Sequence, residues 1–295
     1  MNYSEIISSS FRLAWQNKSL WLLGLFSSGY GLYSFQSTFD LDSEHPWIDL
    51  SGLGGYDFSL GGWLLAAALL VVLLMAATAV FLTALCTPAI IDAVNRLSRG
   101  GRYSLGASFA AGFRFLGRAL GVLILHFLVY IAFFAITVPL GALALLVHPL
   151  LLVAAVLTGI PLLMLFVFAA ETVFQLAYRA MVVRDIPIAA ALREGLGLLG
   201  RYPGPCAILF LLHVGLYIVT AMIAAGAIVV MAIPFVLLAM SSSAGLIAAL
   251  AIGIPLFWLV SLPAGGFLGA VFETMYTLFY FRLLEPIPAG APATA

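Results

Sequence analysis

Long apolar runs separated by short polar stretches set the pattern of this chain. The runs at 62–85, 119–146, 150–178, 206–240 and 244–281 each reach the ~20 residues needed to cross a bilayer core. They are continuous rather than alternating, which excludes a membrane β-barrel. A shorter run at 19–35 contains Ser27, Ser28, Gly29 and Gly31. It reads as a further span, with a re-entrant segment as the competing reading. The pattern predicts an all-α polytopic membrane protein with six transmembrane helices, at 19–35, 62–91, 119–146, 150–178, 206–240 and 244–281. Residues 1–285 form one transmembrane domain, and the proline- and alanine-rich stretch 286–295 is expected to be a disordered tail. As a helix the last run is roughly 57 Å long, nearly twice the hydrocarbon thickness. It must tilt, project or break; Pro263, Gly265 and Gly266 mark the place for a break, with a simple kink or close helix packing there as the other reading. Pro161 is expected to kink the fourth span.

Between these runs lie amphipathic segments. In residues 3–18, Ile7, Phe11, Ala14 and Trp15 share one face, and Ser8, Arg12 and Gln16 another. A segment at 107–118 precedes the third span and one at 190–201 precedes the fifth. These are expected to lie on the cytoplasmic face as interfacial helices, anchored by Trp15, Lys18, Arg114, Arg118, Arg193 and Arg201. With six spans, all twelve lysines and arginines fall on the side of the N-terminus. The opposite loops, near 36–61, 147–149 and 241–243, contain none. The positive-inside rule then places both termini in the cytoplasm.

Parts of the chain recur. At a shift of 83 residues ASFAAGFRFLGR (107–118) overlies AALREGLGLLGR (190–201), so that Gly112 meets Gly195 and Arg118 meets Arg201. Leu105, Phe109, Phe113 and Leu116 overlie Ile188, Leu192, Leu196 and Leu199 as one helical stripe. At a shift of 102, ETVFQLAY (171–178) overlies ETMYTLFY (273–280). The simplest account is a threefold internal repeat: an interfacial helix, an outward span, a turn and an inward span.

Composition narrows the class. The chain is 64% hydrophobic and 8% charged, with no net formal charge, against about 25% charged in an ordinary soluble domain. Neutrality selects no partner beyond the lipid bilayer. The basic residues fit anionic lipid headgroups, and equally an orientation signal with no specific lipid. A protein partner or a homo-oligomer stays open. No basic patch with interleaved aromatics suggests nucleic acid. Cys86 and Cys206 have no metal or redox spacing and read as buried thiols. The first residues lack the pattern of a cleaved signal peptide. The acidic stretch 36–61 lacks the ligand spacing of a calcium loop and reads as a solvated exterior loop. No nucleophile elbow, zinc-protease motif or phosphate loop is present, so neither enzyme nor cofactor is expected.

The chemistry-bearing residues are few. Glu171 and Glu273 each stand seven residues before a tyrosine, Tyr178 or Tyr280, with a basic residue following, Arg179 or Arg282. Counting back from those exits puts both carboxylates about 12 Å inside the helix end. His126 and His213 stand at comparable depths after Arg118 and Arg201. Glu171, Glu273, His126, His213, Tyr178 and Tyr280 are therefore a candidate polar cluster. One reading is a relay or substrate site in a transporter of ions, lipids or small molecules. The other is a set of bonds tying helices together.

Three stretches carry a resemblance: YSEIISSSFRLAWQNKSLWLLGLF at the start, YRAMVVRDIPIAAALREGLGLLGRYPG in the centre, and the aromatic ETMYTLFYFRLL. The chain resembles a group of prokaryotic six-span membrane proteins of unknown function, similar to the membrane domain attached to some glycerophosphoryl diester phosphodiesterases. The resemblance implies a six-helix module in the cytoplasmic membrane. In the fused enzymes the chemistry belongs to a separate soluble barrel, for which this chain has no room. The resemblance therefore brings no functional residues. The sequence supports a non-catalytic membrane module or a partner-binding, envelope-associated protein, with the transporter as the alternative.

Overall fold

The computed structural model describes residues 2–27, 61–241 and 243–285. Among them are eight helices: α1 (Tyr3–Gln16), α2 (Leu20–Ser27), α3 (Gly61–Ser98), α4 (Leu105–Val147), α5 (Pro149–Arg184), α6 (Ile188–Arg201), α7 (Pro203–Ser241) and α8 (Ser243–Leu284). Five of them, α3, α4, α5, α7 and α8, are long and apolar enough to cross a membrane. Of the expected span at 19–35, α2 accounts for Leu20–Ser27, and the rest lies outside the described residues. So do the acidic stretch from 36 to 60 and the tail at 286–295.

Local chemistry sets the ends of the short helices. The Asn2 side chain accepts from the Glu5 amide at 3.3 Å and starts α1, satisfying one of the amides left over at a helix N-terminus. The Asn17 side-chain amide donates to Leu13 O at 2.9 Å at the other end. Trp21 Nε1 then donates to Ala14 O at 2.8 Å and fixes the turn into α2. Asp185 takes a left-handed φ of 52° between α5 and α6, a conformation Asp tolerates better than most residues. Its carboxylate accepts from Arg118 at 2.6 Å.

Two expectations are corrected. The segment 107–118 is not a separate helix: it forms the first turns of α4, which runs unbroken to Val147. The last run does not break at Pro263–Gly266 either, because α8 is continuous from Ser243 to Leu284. Gly266 instead permits close approach. A Cβ there would stand 2.4 Å from Trp21 O, and one on Gly24 would stand 2.4 Å from Gly266 O. The α2 and α8 backbones thus touch through a reciprocal glycine pair, the small-residue contact that draws membrane helices together.

Buried positions are confined to one half of the bundle. Among residues whose side chains are described, α3 is buried only from Ala84 onward, α4 only up to Val122, and α5 from Ala170. In α7 burial stops at Leu209, and in α8 it begins at Gly266. The arginines and lysine lie at this same end, called here the basic end. Its core has two clusters. One joins Phe115, Phe174, Met181, Phe272 and Phe279; the other joins Leu20, Leu23, Ile90, Val94 and Val271. In the far half, contact is made within hairpins. Phe133 of α4 stacks on Phe166 of α5 at 3.9 Å, and Phe235 of α7 covers Gly253 of α8.

The amphipathic segments seat their small residues deepest. In α4 the buried residues are Ser108, Ala111, Gly112 and Phe115, and in α6 they are Ala191, Gly195 and Leu198. In α1 they are Ile6, Ser10 and Ala14. The large apolar stripe flanks this face. Leu105, Phe109, Leu116, Ile188, Leu192 and Leu199 are partly buried against the core, as are Ile7 and Phe11 of α1. Phe113 and Leu196 are each 58% exposed, and Trp15 is 61% exposed. The physical reason is close packing on small residues. A Cβ on Gly112 would lie 2.5 Å from Leu85 O, and one on Gly195 2.7 Å from Val173 O. In both segments the glycine seats the helix on the preceding long helix, and the bulky residues pack at its sides.

Candidate functional site

The most buried charge in the described structure is Arg179, on α5. It is fully buried, and it donates from Nη2 to Glu273 Oε2 on α8 at 2.5 Å. Its other guanidinium arm donates to Gln175 O at 2.8 Å and to the Gln175 side-chain oxygen. Gln175 stands one turn back on the same helix, so α5 itself orients the arginine. The guanidinium also lies 5.2 Å from the centre of the Tyr276 ring, within cation–π reach. Thr277 donates to Glu273 O at 2.7 Å. Glu273 is 4% exposed. Each charge is therefore matched, as a buried ion pair requires.

Sequence reasoning missed Arg179. Its place after Tyr178 suggests a helix exit, whereas it sits in the core and α5 continues to Arg184. One signal was present: at the shift of 102 residues Arg179 falls on Phe281, not on Arg282. An arginine that departs from its repeat, one turn after a glutamine, is a poor exit marker.

The six expected cluster residues divide into separate groups. Glu171 accepts from Tyr130 at 3.2 Å and lies 3.4 Å from His126 Nε2 on α4. His126 stacks on Phe174 at 4.2 Å. Glu273 belongs instead with Arg179, so the two repeated glutamates bond to different partners. Tyr178 donates to Ala119 O at 3.2 Å, joining α5 to α4. Tyr280 donates to Glu194 on α6 at 2.6 Å, and Arg184 holds the other Glu194 oxygen at 2.8 Å. His213 on α7 packs on Phe272 and Tyr276. Comparison with family models, curated proteins and solved structures finds no match to this chain. The chemistry of the site therefore rests on its geometry.

That geometry ties helices together. The bonds run α4–α5, α5–α8, α6–α8 and α5–α6, and each uses a polar side chain near the basic end. Among the described residues no three of His, Cys, Asp and Glu converge as a metal site. Among the described residues six buried side-chain atoms have no hydrogen-bond partner: Asn95 Oδ1, Tyr103 OH, His126 Nε2, Thr172 Oγ1, Arg179 Nε and His213 Nδ1. The expected anchors are all exposed: Trp15, Lys18, Arg114, Arg118, Arg193 and Arg201 lie on the surface of the basic end. Arg114 and Arg118 both lean over the Phe115 ring, and Arg118 also reaches Asp185.

Proposed function

We propose that the protein is a non-catalytic module of a prokaryotic cytoplasmic membrane, with six spans, both termini cytoplasmic and a packed head on the cytoplasmic face that serves as a partner-binding platform. The observation that carries this reading is the fate of the two carboxylates. Glu273 is neutralised by Arg179, and Glu171 accepts from Tyr130 with His126 Nε2 3.4 Å away. Neither lines either of the two described cavities. A threefold repeat of hairpins fits the matched seating of Gly112 and Gly195. Kinship with the membrane domain attached to some glycerophosphoryl diester phosphodiesterases belongs to the same proposal.

Helix lengths support a head outside the lipid. From the far end of α8 to Glu273 is a rise of about 45 Å, against a hydrocarbon core of about 30 Å. The unburied far half of α3, from Gly61 to Ala84, rises about 35 Å. Lipid tails cover that half, and the packed core begins near the level where lipid ends.

A transporter is the second reading. The observation that favours it is the Glu171 side chain, still 33% exposed beside His126, together with the unpartnered nitrogens of His126, Arg179 and His213. Purified protein in liposomes separates the two. The platform reading expects no ion or solute flux; flux abolished by Glu171→Gln with Glu273→Gln establishes transport instead. Cysteine labelling tests the topology: positions 42 and 99 should report opposite sides, and labelling from one side overturns the six-span scheme.

A further inference from the structure

A cleft of about 510 Å³ opens at the extreme basic end, between α1, the end of α3 and the end of α8. Its volume is that of a small-molecule site. One face of α1 contributes Glu5, Ile6, Ser9, Arg12 and Leu13 at helical spacing. Ser98 and Arg99 close it from α3, and Leu278, Phe281 and Arg282 from α8. The charges are unevenly matched. Arg282 is held by Glu5 at 3.0 Å and by Glu285 at 3.2 Å. Arg12 and Arg99 are exposed, and neither has an ion-pair partner among the described residues. Two guanidiniums without an ion-pair partner, one on α1 and one just beyond the end of α3, face the cleft, with Ser9 and Ser98 beside them, apolar walls behind, and its two carboxylates, Glu5 and Glu285, both bonded to Arg282.

We propose that this cleft binds a small, soluble, phosphate-bearing anion, clamped between Arg12 and Arg99. Guanidinium recognises phosphate through paired N–H donors. The apolar walls from Ile6, Leu13, Leu278 and Phe281 suit a short carbon skeleton attached to it. Height selects the soluble source over a lipid headgroup. Arg282 lies about 58 Å along α8 from its far end, whereas a bilayer with its headgroups is about 40–45 Å thick. The mouth therefore faces the aqueous phase. This inference rests on the proposed membrane placement only for the choice of source; the clamp itself does not require it.

The test is thermal unfolding of the full chain in neutral detergent, with glycerol 3-phosphate, inorganic phosphate or chloride at matched ionic strength. A ligand that binds only the folded state raises the unfolding temperature. The expected result is a rise with glycerol 3-phosphate that chloride does not give. Arg12→Gln with Arg99→Gln should weaken the apparent affinity by about tenfold or more, since a factor of ten is only about 1.4 kcal/mol. Arg193→Gln with Arg201→Gln, which removes the same charge elsewhere on the basic end, should leave it intact. No rise beyond chloride overturns the site. Equal loss in both double variants overturns it in favour of diffuse surface charge. A rise given only by phosphatidylglycerol in nanodiscs, and not by either soluble phosphate, overturns the soluble source. Flux in liposomes, the failure of the platform reading, leaves this result unchanged.

Discussion

The two halves of the bundle are made of the same helices and behave differently. At the basic end α3, α4, α5, α7 and α8 share two clusters of buried side chains, with ion pairs and hydrogen bonds between helices. In the far half the same helices expose large apolar residues, such as Leu69, Ile136, Leu165 and Ile223. The proposed membrane placement accounts for the difference. Burial of apolar groups is driven by water. In lipid the tails are as apolar as leucine, and helices associate only through packing and polar contacts. The far half has few small-residue seats or interhelical bonds; the basic end has both. The fold is a packed head carried on hairpins, and its stability is expected to reside in the head.

The largest expected effect comes from breaking the buried pair. Arg179→Met leaves Glu273 buried and unpaired and should cost about 3–5 kcal/mol, read as a lowered unfolding midpoint in detergent. Next is the glycine contact. Gly24→Leu or Gly266→Leu forces side chain against backbone between α2 and α8, and should cost about 1–3 kcal/mol. Normal stability in both variants would mean that the two helices do not touch. Tyr280→Phe removes one hydrogen bond to Glu194 and should cost about 1–2 kcal/mol. The smallest effect belongs to the far half: Leu165→Ala should change stability by less than about 0.5 kcal/mol. A cost there equal to that of Tyr280→Phe would erase the contrast between the halves.

The long helices were legible because apolar length is a strong signal. The spans expected at 62–91, 150–178 and 206–240 correspond to α3, α5 and α7, each of which extends beyond them. The extensions were hidden because mean hydropathy falls where polar residues enter, whereas backbone hydrogen bonding continues the helix through them. Periodicity located the stripe of Leu105, Phe109, Phe113 and Leu116, but it could not say which medium the stripe meets. Leu105, Phe109 and Leu116 pack against the core while Phe113 is exposed, and the glycine face sits deepest. Asp92 and Arg96 lie 2.8 Å apart one turn along α3, a pair that spacing on one helix makes legible. Arg179 and Glu273 were not paired, because they stand on different helices and counting charges treats every arginine as a surface residue.

The account depends most on that last pair. A double-mutant cycle on stability, with Arg179→Met, Glu273→Gln and the combination, measures it without reference to any activity. The structure predicts a coupling of about 2–3 kcal/mol, with the double variant more stable than the sum of the singles implies. Singles that add to within about 0.5 kcal/mol would contradict it and would remove the buried ion pair as the lock of the head.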